Sequence, residues 1–241
     1  MDLKLAGQSV EQGFCVLPSV FDNAEIKAFR SACVNNLGCM GQTRDVAHSY
    51  HLAGFHRFPS LATIHARIVA DDTINRFLSA YYRSSPYIAL GLSDITVNRS
   101  QHWHTDLLRG RYSGFLKDCD PWAEAMGSLK ALVYLQGGAS LRILPRSHLS
   151  PTPLDDTLLD TLAETAPDVV RVEVKAGDVV MMDIRALHRG STDADMRNPA
   201  LAQMPKILVS TVFGPVNSDL ARAMQVGNAH RMADWDRRFL A

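Results

Sequence analysis

The stretch "AGDVVMMDIRALHRG", residues 176–190, combines a turn, an apolar run and a histidine. Gly177 and Asp178 are typical turn residues, and the short apolar run that they begin predicts a buried β-strand. The strand leads to His188. A histidine at the end of a buried strand can face the strands opposite it, so this stretch indicates both a β-rich fold and a site within it.

Further short β-rich runs occupy the chain beyond Pro86, and Gly, Pro, Asn and Asp separate them. No long helix lies between most of them, which favours an antiparallel sandwich or barrel over parallel winding. The seven predicted strands are "YIALGL", "DITVN", "LKALVYLQ", "SLRILP", "VVRVEVK", "DVVMMDI" and "KILVSTVF".

Helical patterns flank this β-rich region. Apolar residues recur at helical spacing in residues 22–38 and again in residues 60–83, where the pattern breaks near the middle. The sequence therefore predicts one domain with a helical N-terminal part at about 1–85, a β core at about 86–214 and a helical C-terminal segment at 215–241.

The composition excludes several partners. The 241 residues include 25 Lys and Arg against 25 Asp and Glu, so no net charge attracts nucleic acid or an anionic membrane. The four cysteines form no CxxC pair, and the start "MDLKLAGQSVEQG" lacks the pattern of a signal peptide. We expect a protein of the cytoplasm that does not span a membrane; its oligomeric state cannot be predicted.

A second stretch, "HWHTD" at 102–106, carries a possible pair of metal ligands. In an extended strand His102, His104 and Asp106 would share one face. An H-x-D pattern alone is weak evidence, because polar residues on a solvent-exposed face produce it readily. His188, on another predicted strand of the same region, adds a third ligand if the two strands face each other.

Two histidines and one carboxylate bind one face of an octahedral ion and leave three positions open. Non-haem iron(II) oxygenases use this arrangement. A structural zinc site would instead close four ligands around the metal, typically with thiolates. None of the four cysteines lies beside these residues.

Four motifs occur in an order that carries a family resemblance: "GFCVLPSVFDNAEIKAFRSA", "HWHTD", "GGASLRILPRSH" and "AGDVVMMDIRALHRGS". The chain resembles the phytanoyl-CoA dioxygenase-like family of iron(II)/2-oxoglutarate-dependent oxygenases. The resemblance implies a double-stranded β-helix, the cupin-like jelly roll of two packed sheets, with flanking helices. It also implies that His104, Asp106 and His188 bind the metal.

The resemblance further implies the cofactors Fe(II), 2-oxoglutarate as co-substrate, and O2. The expected reaction is hydroxylation of an unactivated C–H bond in a small molecule, with release of succinate and carbon dioxide. Related enzymes also desaturate, close rings or epimerise. Halogenation is not expected, because halogenating relatives lack the carboxylate ligand and Asp106 is present.

A buried 2-oxoglutarate needs a cation for its distal carboxylate. The family usually has an arginine just before the last core strand. Counting forward from His188 suggests Arg197, whereas counting back from "KILVSTVF" suggests Lys206, which we favour because strand register fixes side-chain direction. Ser210, on the same face, and Asn98 are candidate hydrogen-bond donors to 2-oxoglutarate.

Other residues near the motifs have two candidate roles each. Arg146 stands in "LPRSH" where the family usually has glycine, so the turn either changes shape or gains a charge. His102 either lines the substrate pocket or is structural. Asp183 and Arg185 form either a pair that orients His188 or an exposed salt bridge.

The loop after the ligand pair, "DLLRGRYSGFLKDCDPW", is rich in cations, including Arg109, Arg111 and Lys117. Loops at the mouth of a barrel commonly select the substrate. If these cations face the site, the substrate bears an anionic group. If they do not, they form an ordinary solvated cluster.

Two alternatives share the predicted fold, so fold alone does not decide between them. One is a cupin-like metal enzyme independent of 2-oxoglutarate, with His102, His104 and His188 as ligands. Cupins usually have a glutamate soon after their H-x-H, and "HWHTDLLRG" has none. The other is a barrel that only binds a ligand.

Overall fold

The structure, a computed structural model, describes residues 2–42, 48–151 and 167–239. The predicted β core includes residues 152–166, which lie outside the described residues. Within the described chain, no helix is long and apolar enough to cross a membrane.

The described residues form a seven-stranded and a three-stranded sheet, and every pair of named strands is antiparallel. The large sheet has the order β1-β8-β5-β10-β4-β3-β2, and the small sheet has the order β7-β6-β9. The strands are β1 (Phe14–Leu17), β2 (Gly41–Gln42), β3 (Tyr50–Ala53), β4 (Tyr87–Val97), β5 (Leu129–Tyr134), β6 (Gly138–Ile143), β7 (Val170–Val174), β8 (Val179–Asp183), β9 (His188–Arg189) and β10 (Ile207–Pro215).

Helices flank the sheets at both ends of the chain, as the sequence predicts. The longest, at the C-terminus, packs against β4 and a 3₁₀ turn at Gly110–Leu116. The described helices are α1 (Asp2–Gln12), α2 (Asn23–Asn35), α3 (Pro59–Val69), α4 (Asp72–Tyr81), α5 (Asp193–Met196), α6 (Ala200–Gln203) and α7 (Asp219–Phe239).

Helix α2 shows how local sequence fixes an element boundary. Asp22 accepts hydrogen bonds from the backbone N–H groups of Ala24 and Glu25, while the Glu25 carboxylate accepts from the Asp22 N–H. This capping box satisfies N–H groups that have no partner within the helix. The helix then buries Ile26, Phe29 and Cys33 against the large sheet, as their spacing predicts.

The two faces of the large sheet have different partners. One face packs its apolar side chains, among them Val133 and Val209, against helices α2 to α4. The other face, which carries Leu132 and Tyr134, packs against Leu141 and other residues of the small sheet. A mainly β fold with flanking helices is confirmed, and its interior between the two sheets is available for a site.

Two predictions of individual strands differ from the structure. "YIALGL" and "DITVN" form the single strand β4, because Gly91, with φ +74°, and a register shift between Thr211 and Phe213 of β10 let the pairing continue through a bulge. The N-terminal part also contributes β1, β2 and β3, which were not predicted. Such short strands have too few residues to show periodicity.

Left-handed backbone occurs at two turns near the site. Gly177, with φ +90°, precedes β8, and a Cβ there would lie 2.2 Å from the carbonyl oxygen of Phe21. Arg146 has φ +67°, and its N–H donates to the Gln12 carbonyl at 3.0 Å. The turn therefore keeps a conformation that favours glycine although it carries an exposed arginine.

Candidate active site

The three predicted metal ligands lie together. His104, Asp106 and His188 each offer one ligand atom, and these atoms lie within 4.8 Å of one another. The backbones of His104 and His188 exchange two N–H···O bonds of 2.8 and 2.9 Å, and the Asp106 N–H donates to the Ile184 carbonyl at 2.8 Å. Main-chain pairing, rather than side-chain contact, thus brings the two motifs together.

Both imidazole rings are oriented by backbone carbonyls. His104 Nδ1 lies 2.6 Å from the His102 carbonyl oxygen, and His188 Nδ1 lies 3.0 Å from that of Ala186. A carbonyl can only accept, so each Nδ1 carries the proton and each Nε2 presents a lone pair. The two Nε2 atoms face the Asp106 carboxylate at 3.8 and 3.5 Å.

The ionisation of the cluster fits a metal ion. Burial lowers the pKa of both histidines, so both are neutral. Burial alone would raise the pKa of Asp106, but Lys130 and the two histidines hold it well below its usual range. Asp106 Oδ1 accepts from Lys130 Nζ at 3.0 Å, while the buried Oδ2 has no hydrogen-bond partner in the described chain. That unsatisfied oxygen, with two neutral imidazole nitrogens, is a donor set suited to a divalent metal.

A cavity of about 250 Å³ adjoins the cluster and is lined by both sheets. Lys206, which precedes β10, lies on its wall together with Ser210. Asp94 of β4 and Arg231 of α7 also line it. The cavity therefore joins the candidate metal centre to a half-buried lysine and to a half-buried ion pair.

Lys206 contacts hydroxyl groups rather than a carboxylate. Its Nζ donates to the Oγ atoms of Ser140 and Ser191, and no ion pair of Lys206 is found in the part of the chain that the structure describes. Burial lowers the pKa of this lysine to about 8. A desolvated ammonium with only neutral partners is suited to an anionic ligand.

The other two residues predicted for 2-oxoglutarate lie elsewhere. Arg197 is exposed at the C-terminal end of α5 and does not line the cavity. The Asn98 amide accepts from the Lys206 N–H at 2.7 Å and donates to the Leu201 carbonyl at 3.1 Å. Asn98 thus fixes the start of β10 and does not itself face the cavity.

The three predicted substrate-binding residues also separate. Arg109 lines the cavity, whereas Arg111 is exposed and pairs with Asp234 at 2.7 Å outside it. The His102 side chain is exposed and does not share the face of His104 and Asp106. Residues 102–106 do not form a regular strand, because among them only His104 makes a β-bridge, with His188.

A family model described as phytanoyl-CoA dioxygenase (PhyH) matches residues 9–197. The chain belongs to the phytanoyl-CoA dioxygenase family. This match confirms the family predicted from the four motifs. No curated protein sequence matches the chain.

Solved structures similar to this member of the phytanoyl-CoA dioxygenase family support the fold. The epimerase SnoN from nogalamycin biosynthesis is 19% identical, with a TM-score of 0.61 over 89% of this chain and 80% of its own. HygX from Streptomyces hygroscopicus, solved with nickel, 2-oxoglutarate and hygromycin B, is 20% identical, with a TM-score of 0.61 over 89% and 87%. EctD from S. alaskensis, solved with 2-oxoglutarate and 5-hydroxyectoine, is 17% identical, with a TM-score of 0.62 over 89% and 76%. The jelly-roll fold is thereby confirmed.

Other residues of this family member's cavity were not found from the sequence. Lys130 is a cation within the apolar strand "LKALVYLQ", and that contrast was the available signal. Leu132 and Tyr134 lie two and four positions beyond Lys130 on the same face of the strand, and both line the cavity. Nothing in the sequence pattern indicated the pairing of Asp94 with Arg231.

The predicted pair Asp183 and Arg185 is buried rather than exposed. The guanidinium contacts both carboxylate oxygens at 2.9 and 2.7 Å and also donates to the carbonyls of Pro121 and Glu124. His188 is not among its partners. The pair therefore anchors the loop that precedes β5 and does not orient the imidazole.

Proposed function

We propose that this protein is an iron(II)- and 2-oxoglutarate-dependent oxygenase that hydroxylates an unactivated C–H bond of a small molecule with O2. The observation that carries the proposal is the cluster of His104, Asp106 and His188, which leaves one buried carboxylate oxygen unsatisfied. Family membership and the jelly-roll fold agree with it.

His104 and His188 would hold the metal through Nε2 and Asp106 through Oδ2. When bound, iron(II) would supply open coordination positions for 2-oxoglutarate and O2, and O2 is the oxidant both for the decarboxylation of 2-oxoglutarate and for the hydroxylation of the C–H bond. The chain fixes these donors with backbone hydrogen bonds, and the buried surroundings exclude water. Three protein ligands suit this chemistry because they leave three positions open.

Lys206 is our candidate for the distal carboxylate of 2-oxoglutarate. It lies on the cavity wall, whereas Arg197 is exposed and lies outside it. Ser140 and Ser191 already hold the Lys206 ammonium, and Ser210 on the same wall is a second candidate donor. A lysine provides a point charge rather than the bidentate fork of an arginine.

A small, anionic substrate fits the cavity. Its volume of about 250 Å³ suits a co-substrate and a small molecule rather than a polymer. Five cations and two aspartates are found among its described lining residues, which supports the predicted anionic character. HygX has been solved with hygromycin B and SnoN with nogalamycin RO, both of which are small molecules. Of the reactions that related enzymes catalyse, we propose hydroxylation for this protein.

We also propose a location in the cytoplasm. The four cysteines are free, and those at Cys15 and Cys33 are buried. Burial raises the pKa of both thiols to about 12, which makes them unreactive. Free thiols are typical of a reducing compartment.

Succinate formation tests the proposed reaction and its ligand set. Purified protein is incubated with iron(II), ascorbate, O2 and 2-oxoglutarate, and succinate is measured in wild type, Asp106→Ala and His102→Ala. We expect succinate from wild type and His102→Ala and none above the iron-free background from Asp106→Ala. No succinate from wild type would contradict the proposal, and loss only in His102→Ala would contradict the ligand set His104, Asp106 and His188.

A further inference from the structure

Two cations lie at the edge of the candidate metal centre. Lys130 Nζ is 3.0 Å from Asp106 Oδ1, and Arg109 follows the ligand pair by three residues and lines the same cavity. Both cations therefore line the cavity beside the metal ligands.

The ammonium group of Lys130 has more N–H donors than its hydrogen bond to Asp106 uses. Its strand β5 directs it into the cavity with Leu132 and Tyr134, and Asp106 is its hydrogen-bond partner in the described chain. An ammonium has three N–H donors. Once Asp106 shares its negative charge with a metal ion, a half-buried Lys130 is no longer neutralised, and a second anion nearby becomes favourable.

Arg109 differs from the next arginine in its loop. The buried Leu107 and Leu108 fix the backbone just before it. Arg111 is paired with Asp234, but the described residues give Arg109 neither a hydrogen bond nor an ion pair. Arg109 is an exposed residue that lines the cavity, so the five N–H donors of its guanidinium are available to a ligand.

Other charges of the cavity already have roles. Arg231 is neutralised by Asp94. Lys206 is assigned to the distal carboxylate of 2-oxoglutarate, so the inference that follows rests on the proposed function. Arg99 also lines the cavity, and its charge acts on His51. Lys130 and Arg109 remain, and Lys130 contacts the ligand Asp106 directly.

We propose that Arg109 and Lys130 together bind an anionic group of the substrate, a carboxylate or a phosphorus oxyanion, and that the oxidised C–H bond lies within a few bonds of that group. Lys130 contacts a metal ligand directly, so an anion on its ammonium lies beside the coordination sphere. The substrate class is then a small acid oxidised near its acidic group. The pair thereby determines both affinity and the position of oxidation.

The test measures where a probe anion binds. Protein loaded with Mn(II) and saturated with 2-oxoglutarate is titrated with methylphosphonate and, separately, with ¹³C-acetate, and nuclear relaxation of ³¹P or ¹³C is recorded. Saturation with 2-oxoglutarate keeps the probe away from Lys206. The variants are Arg109→Gln and Lys130→Gln, with Arg111→Gln as the matched control from the same loop.

We expect saturable relaxation in wild type and Arg111→Gln, from an anion that is near the metal but not coordinated to it. Each of Arg109→Gln and Lys130→Gln should weaken probe binding about tenfold or more, since one charge-assisted hydrogen bond is lost. Arg109 touches no metal ligand, so its variant separates anion binding from metal binding. Relaxation by acetate alone would assign a carboxylate, and relaxation by methylphosphonate alone would assign a phosphorus oxyanion.

Mn(II) and 2-oxoglutarate affinities are measured first for every protein. Failure of wild type to bind them would contradict the proposed function itself. If both bind but neither probe relaxes, or if relaxation is unchanged in both Arg109→Gln and Lys130→Gln, the anion site is wrong while the proposed function stands. Relaxation typical of a directly coordinated probe would also overturn the inference.

Discussion

Two half-buried cations on the wall of one cavity have opposite surroundings. Arg231 donates to both oxygens of Asp94, at 2.8 and 3.2 Å, and to Asn228 Oδ1 at 3.0 Å. Lys206 donates to two serine hydroxyls. Burial lowers the pKa of both, but Asp94 reverses the effect at Arg231, whereas the pKa of Lys206 falls to about 8.

The difference distinguishes a cation that stabilises the fold from a cation that is available to bind a ligand. At Arg231 the cost of burial is offset within the folded chain, and the ion pair ties α7 to β4. At Lys206 the charge of Asp195 acts without a direct contact and offsets the cost only in part, so an anionic ligand gains the contact that the fold does not make. Burial of a charge alone therefore does not mark a ligand site; burial without a counter-charge in contact does.

The largest expected effect is on stability, at the paired cation. Arg231→Met should lower the free energy of unfolding by about 3 kcal/mol, because the half-buried Asp94 is then left with His51 alone, 3.6 Å away. Urea denaturation measures it. The double variant Asp94→Leu with Arg231→Met should recover most of the lost stability. A loss below about 1 kcal/mol in the single variant would show that the ion pair with Asp94 does not give Arg231 a structural role.

At the unpaired cation, the larger effect should be on ligand binding. Lys206→Met keeps the length of the side chain and removes its charge, so 2-oxoglutarate affinity should fall by about 2–4 kcal/mol, roughly 30- to 1,000-fold. Anaerobic calorimetry on iron(II)-loaded protein measures this. Stability should not fall by more than about 1 kcal/mol, since no carboxylate is left unpaired. Equal affinity in variant and wild type would exclude Lys206 from the site.

A smaller effect is expected from pH. Because burial lowers the pKa of Lys206 to about 8, the ligand-free lysine loses its proton as pH rises through 8, and binding of a dianion must then restore it. Affinity for 2-oxoglutarate should therefore fall with rising pH, by at most about tenfold per pH unit above 8. Calorimetry between pH 7 and 9.5 measures this.

Lys206→Arg is the control for this pH effect, because arginine stays charged over the range. Its 2-oxoglutarate affinity should be flat with pH. A flat profile in wild type, or an equal slope in the arginine variant, would show that Lys206 is not the titrating group.

The sequence predicted the features that depend on short-range pattern. The H-x-D motif and the strand before His188 indicated the three clustered residues, and strand register placed Lys206 on the cavity wall. Prediction was less successful where the backbone is irregular. Asn98 has φ +46°, which directs its amide to backbone groups rather than into the cavity.

Residues joined by tertiary contacts alone were beyond sequence reasoning. Asp94 and Arg231 are 137 residues apart, and their pairing depends on how α7 packs on β4. Lys130 of β5 meets Asp106 because the Asp106 N–H donates to the Ile184 carbonyl just beyond β8, the strand that pairs with β5. Neither contact leaves a periodic signal in the chain.

The most direct test of the metal and co-substrate site is an anaerobic titration of iron(II)-loaded protein with 2-oxoglutarate, recorded in the visible range. We expect a weak charge-transfer band in wild type, its absence in His188→Ala, and a need for far more 2-oxoglutarate in Lys206→Met. No band in wild type would show that this cluster does not bind iron and 2-oxoglutarate together.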